Sequence, residues 1–189
     1  MSPAVSPRSS SKGDRGLRQS PLRVGFVGRL SPEKDPELFG RIANVNPQHS
    51  FQAFGSGQLE ESLKMKYPGV DWHGHVATQQ AFHALDIMLL TSRSEGLGLV
   101  VLEASQYGVI PLCVDVGGVS ETLHPDLHQI LLVPEQERDN LFFWSERIDA
   151  ITKDDMPIRI MELQREWLMR FSGEKSAEEF VQALEKGVL

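Results

Sequence analysis

Residues 86 to 115 read "DIMLLTSRSEGLGLVVLEASQYGVIPLCVD". "IMLL" at 87–90 is an apolar run of strand length, and "VIPLCVD" at 109–115 is another. Between them, a turn with Gly96 and Gly98 leads into the helix-length stretch "LGLVVLEASQYG". A strand, a helix and a second strand joined by short turns form a βαβ unit, whose two strands run parallel in one sheet.

The same alternation extends outward. Upstream, "LRVGFVG" is strand-like, and "DPELFGRIANV" places Leu38, Phe39, Ile42 and Ala43 at helical spacing. "SFQAFG", "LEESLKMK", "VDWHG" and "ATQQAFHAL" continue as strand, helix, strand and helix. Downstream, "VSETL" reads as a short helix and "QILLV" as a short strand. The expectation is an α/β fold with a doubly wound parallel sheet covered on both faces. Three helices should close the chain, each with an apolar stripe facing the core. The first stripe is Leu141, Trp144, Ile148 and Ile151; the second is Ile160, Met161, Trp167, Leu168 and Phe171; the third is Ala177, Phe180, Val181, Leu184 and Val188.

Composition sets limits on function. The chain has 189 residues, with 40% hydrophobic and 24% charged, enough for one domain with a sizeable core. Residues 1–20 carry Arg8, Lys12, Arg15 and Arg18 against Asp14, a balance of +3; the net charge of −7 therefore leaves −10 on the rest. An acidic domain is a poor match for nucleic acid, which needs a basic face. The first 20 residues are rich in Ser, Arg and Pro and read as a disordered arm or linker, with the domain at 21–189. Residues 1–20 share Arg and Ser with some transit peptides, but lack their amphipathic period and any secretory apolar segment, so the cytoplasm is the expected location. The single cysteine, Cys113, excludes a disulfide framework and a multi-cysteine metal site. It lies in an apolar strand and reads as a packed thiol rather than a nucleophile.

In an open α/β sheet, ligands bind where strands end and helices begin. Four such turns stand out: "GRLSPEKD", "GSGQ", "SRSEGLG" and "VGGVSE". In the first, Gly28 permits an unusual turn, and Arg29 and Lys34 are candidates for phosphate oxygens. Taken alone it also reads as a plain helix start, with Ser31 or Asp35 as cap and Pro32 or Pro36 near the first position. Gly55 and Gly57 in "FGSGQLE" fail the dinucleotide fingerprint, because Glu60 stands where its third glycine belongs. They can serve a nucleotide's approach or merely a tight turn.

"SRSEGLG" carries the strongest signal. Gly96 and Gly98 leave backbone N–H groups open at a helix start, a ready anion site. Glu95 precedes that start, and Glu103 stands about 7.5 Å along the axis from Gly98. Two carboxylates flanking a diphosphate suit a ligand with hydroxyls at both ends, such as a nucleoside diphosphate sugar. Alternatively Glu95 answers the helix dipole and Glu103 is a carboxylate satisfied by backbone donors. Gly117 and Gly118 form a second glycine turn able to admit the sugar, with Glu121 as an acid in the first helical turn. His73 and His75 would share a strand face, but lack a third metal ligand, and read as surface or packed histidines.

Together these turns resemble the C-terminal, donor-binding lobe of retaining glycosyltransferases of GT-B fold, family four. The resemblance runs from about Arg23 to Lys186, and rests on "GRLSPEKD", "GSG", "TSRSEGLGLVVLEASQYGVIP" with its E-x7-E pair, and "GGVSE". It implies a Rossmann-like lobe that binds a nucleotide sugar, with no cofactor and no required metal. By that resemblance, Arg29 and Lys34 hold the diphosphate and stabilise the leaving group, Glu95 contacts the transferred sugar, Glu103 holds the ribose, and residues 96–99 present backbone donors. It also implies a partner lobe that positions a glycan, lipid or small-molecule acceptor, and that can bring the protein to a membrane surface. Residues 1–20 are too few to form such a lobe. The isolated chain is therefore expected to be inactive or nearly so. A non-catalytic nucleotide-sugar-binding or regulatory module is the alternative, and a sugar-nucleotide epimerase is a third reading that suits the E-x7-E context less well.

Overall fold

The computed structural model describes residues 21–171; the third expected stripe, at 177–188, lies outside them. Six strands form one parallel sheet: β1 (Arg23–Val27), β2 (Ser50–Phe54), β3 (Val70–Gly74), β4 (Ile87–Leu90), β5 (Ile110–Val114) and β6 (Leu132–Val133). Their order is β3-β2-β1-β4-β5-β6. Helices α1 (Pro36–Val45), α2 (Glu60–Lys66), α3 (Thr78–His83) and α4 (Leu99–Gln106) connect successive strands. The chain then runs through the short α5 (His128–Leu131) to α6 (Leu141–Ile151) and α7 (Met156–Leu168).

The strands are apolar because helices cover both faces. All four residues of β4 and all five of β5 are buried. In β1, Val24 aligns with Ile87 of β4 and with Phe51 of β2, which places β1 and β4 side by side at the sheet's centre. Helix α1 starts where Asp35 caps it, accepting from Leu38 N at 3.1 Å, with Pro36 in the first turn. Its buried face is Leu38, Phe39, Ile42 and Ala43, the stripe expected from spacing. Phe39 packs between Phe26 and Phe51, at ring-centroid distances of 5.8 and 5.6 Å. Burying each such side chain contributes about 2–3 kcal/mol.

The expected elements differ from the observed ones at the sheet's far edge. "VSETL" is a single 3-10 turn over Val119–Thr122, and only Leu132–Val133 of "QILLV" is strand, because Gln129–Leu131 belong to α5. A two-residue strand suffices there, since it pairs on one side only, with Cys113 and Val114. Of the α6 stripe, Trp144, Ile148 and Ile151 are fully buried and Leu141 is half-buried against the core. The α7 stripe is narrower. Ile160 is buried, whereas Trp167 is partly exposed, edge-on to His124, with its Nε1 donating to Glu121 O at 3.0 Å. The deeper α7 contact is polar. Gln164, 3% exposed, donates to Thr122 O at 2.7 Å and accepts from His124 N at 3.1 Å. This pairing ties α7 to the segment that follows the Gly117–Gly118 turn.

Candidate functional site

Strand order reverses between β1 and β4. The chain leaves β1 toward β2 on one side and returns through β4 on the other, so the turns after these two strands diverge and leave a crevice at their carboxyl ends. "GRLSPEKD" follows β1 and "SRSEGLG" follows β4, so both line this crevice. Lys34 and Glu95, remote in sequence, meet across it. Lys34 Nζ lies 2.7 Å from both carboxylate oxygens of Glu95. The Glu95 side chain is 8% exposed and that of Lys34 27%, and Ser92 Oγ donates to Glu95 Oε1 at 2.6 Å. The acid of the glycine turn is therefore held by a cation and a hydroxyl.

Helix α4 begins directly beyond this pair. Gly98 is its N-cap in the left-handed region, at φ 69°, and no side chain caps the helix. Gly96 has open space where a side chain would stand. The leading backbone N–H groups and the helix dipole thus present a positive end to the crevice. Leu97 and Leu99 flank this end, the latter 61% exposed. Glu103 lies on the exposed face of α4, while Val101, Leu102 and Ala104 fill its buried face. A charge is tolerated in this apolar run because Glu103 falls on the solvent side of the helix.

Not all expected residues converge. Arg29 is 72% exposed and faces Glu33 at 3.7 Å, rather than joining Lys34 and Glu95. The glycines bring backbones together. A Cβ on Gly55, at φ 144°, would sit 1.8 Å from Gly28 O, and one on Gly57 would meet Leu30 O at 2.4 Å. Gly28 N bonds Phe54 O and Leu30 N bonds Ser56 O, both at 3.0 Å, which fastens the turn after β1 to the turn after β2. A Cβ on Gly117, at φ 59°, would lie 1.9 Å from Glu95 O, and Gly118 N donates to Gly96 O at 2.7 Å. What comes close to these glycines is the protein's own chain. Four loops are thereby fastened in two pairs, which form a rim around Lys34 and Glu95.

Other residues of the rim escaped the sequence reading. Asp35, Thr91, Arg93 and Arg138 converge behind Lys34. Asp35 and Thr91 looked like an ordinary cap and an ordinary strand end, and Arg138 sits far away in sequence; no local signal would have found the group. Of the histidines, His73 stacks on Phe54 at 4.8 Å and His75 is exposed. No group of three or more His, Cys, Asp or Glu among the described residues is placed to hold a metal ion. Cys113 is fully buried, and burial pushes its thiol far above the ordinary range, with Glu95 adding to the effect. No helix among the described residues is long and apolar enough to cross a membrane. A groove of about 770 Å³ lies where β5 begins, lined by Tyr107, Gly108, Val109, Ile158, Met161 and Leu168, at the opposite end of the sheet from Lys34.

A six-stranded, doubly wound parallel sheet with a charged crevice at its switch point defines a Rossmann-like lobe of the GT-B type. The chain belongs to the family described as glycosyl transferases group 1, which matches residues 21–143. It is 31% identical over 175 residues to the O-antigen biosynthesis glycosyltransferase WbnH of Escherichia coli, covering 91% of this chain and 48% of that protein. The chain thus spans about half the length of this relative. Among solved structures, the fold is similar to the C-terminal domain of a glycosyl transferase group 1 family protein (LpcC) from Francisella tularensis, with TM-score 0.65 and 20% identity over 78% of this chain and 84% of that one. It is also similar to the catalytic domain of starch synthase IV from Arabidopsis thaliana, bound to ADP and acarbose, with TM-score 0.67 and 19% identity over 94% of this chain and 40% of that one.

Proposed function

We propose that this chain is the donor-binding lobe of a retaining glycosyltransferase, and that it holds a nucleoside diphosphate sugar in the crevice between β1 and β4. The observation that carries the reading is the Lys34–Glu95 pair facing the uncapped start of α4. A diphosphate seated there meets backbone N–H donors on one side and the Lys34 ammonium on the other. Arg29, on its exposed stem, swings in from Glu33 to a second phosphate oxygen. These donors and cations neutralise the leaving diphosphate without a required metal or cofactor.

The two glutamates then divide the ligand. Glu103, on the exposed face of α4, takes the ribose hydroxyls. Glu95, at the crevice floor, exchanges its bond to Lys34 for the hydroxyls of the transferred sugar as the diphosphate claims that lysine. The acceptor is positioned by a second lobe, and transfer needs both substrates held together. The relatives' greater length and the ADP held by the starch synthase neighbour support this division of labour.

The test is calorimetric titration of UDP, GDP and ADP, with and without chelator, into the purified chain. Saturable binding of at least one, unchanged by chelator, is expected; binding only with added magnesium, or none at all, refutes the site. Addition of the corresponding sugar donor and mixed glycan acceptors should give little or no transfer by this lobe alone.

A further inference from the structure

We propose that Arg138, acting through Asp35 and Thr91, is a positioning residue for Lys34. This rests on the donor-site reading above. Arg138 lies 103 residues beyond Asp35, between β6 and α6, and is only 6% exposed. Its Nη2 donates to Asp35 Oδ2 and, at 2.7 Å, to the carbonyl of Thr91. One guanidinium therefore joins the residue after Lys34 to the strand end that leads to Glu95. Thr91 completes the clamp, because the one proton on its Oγ1 is shared between Lys34 O at 3.1 Å and Asp35 O at 2.9 Å. From the solvent side, Arg93 Nη2 reaches Asp35 Oδ2 at 2.7 Å, and Arg93 N bonds Glu33 O at 2.8 Å.

Each part of this clamp is held in turn. Asp35 sits in the left-handed region at φ 46°, unusual for a residue with a side chain, and its other oxygen caps α1. The Arg138 carbonyl accepts from Nε1 of the fully buried Trp144 at 2.8 Å, which anchors the arginine to α6. A buried ion pair gains little net stability over an apolar replacement, and here Arg138 Nε has no hydrogen-bond partner. What the pair supplies is geometry: it sets where Lys34 leaves the backbone relative to Glu95 and the start of α4.

The experiment uses Arg138→Met combined with Asp35→Asn. This pair of changes removes both buried charges together, and asparagine keeps the cap oxygen and tolerates left-handed backbone. Whichever of UDP, GDP and ADP the unaltered chain binds is titrated into the full 189-residue chain, with Lys34 intact or as Lys34→Met. With Lys34 present, nucleotide affinity should fall about tenfold, the scale of one lost charge-assisted hydrogen bond. With Lys34→Met, the same changes should matter less than about twofold, because the residue being positioned is gone. An equal loss in both backgrounds, or no loss in either, overturns the proposal while leaving the donor site standing.

If the unaltered chain takes up none of UDP, GDP and ADP, the donor-site reading fails, and positioning is read without ligand. The Lys34–Glu95 coupling is then measured by a double-mutant cycle in urea, with and without the Arg138 and Asp35 changes. At least a halving of the coupling is expected, and an unchanged coupling overturns the proposal. Should the paired variant not fold, Arg138→Lys replaces it under the same comparisons, since lysine keeps the charge but its ammonium ends one bond short of Nη2, the nitrogen that makes both contacts.

Discussion

Replacing Lys34 by methionine should destabilise the fold even in the absence of any ligand. The change keeps an unbranched stem of similar length and removes the ammonium. Glu95, 8% exposed at its side chain, would lose both 2.7 Å bonds and keep only the 2.6 Å bond from Ser92 Oγ. Stranding a fully buried partner costs about 3–5 kcal/mol. The 27% exposure of Lys34 shows that water reaches this pair, which lowers the expected cost to about 2 kcal/mol. With an m-value of about 2 kcal/mol/M, the urea midpoint should move down by about 1 M. The double variant Lys34→Met with Glu95→Gln leaves no stranded charge and should recover more than half of the loss. Equilibrium unfolding in urea, followed by circular dichroism, measures all three variants. A Lys34→Met midpoint within about 0.2 M of the parent would refute the reasoning, as would a double variant no better than the single one.

Three further outcomes are expected. Glu103→Gln should weaken UDP, GDP or ADP binding by about 1.5–3 kcal/mol if the ribose rests on it, whereas Glu95→Gln should spare the bare nucleotide and weaken only the sugar-bearing donor; calorimetry on both variants separates the two roles. His49 has its pKa lowered from 6.5, chiefly by burial, partly offset by Asp149, so its neutral form favours the fold. That stability is full above pH 6.5 and is lost as pH falls toward the depressed folded value; His49→Gln should flatten this part of the Tm–pH curve relative to the parent. Cys113, fully buried with its thiol pushed up, should resist iodoacetamide in buffer and react after unfolding in urea, as read by mass spectrometry.

Alternation of apolar runs and amphipathic stretches settled the class of fold, because burial on two faces leaves a strand few choices but to be apolar throughout, as β4 and β5 are. Local chemistry was partly legible: of the two caps offered, Ser31 and Asp35, the structure uses Asp35 to start α1, and the turn with Gly96 and Gly98 precedes α4. It also placed Lys34 and Glu95 in turns at strand ends. Tertiary structure alone decided that these two touch. Their meeting depends on β1 and β4 being neighbours, and strand order is set by how whole layers pack, which no window of sequence contains. The same holds for Gly55 and Gly117, whose requirement comes from carbonyls of Gly28 and Glu95 lying against them. It holds most of all for Arg138, whose partners at Asp35 and Thr91 are brought to it only when β6 and α6 close over the end of the sheet. Periodicity reports which way a side chain faces within its own element; it carries no information on which distant backbone will arrive there.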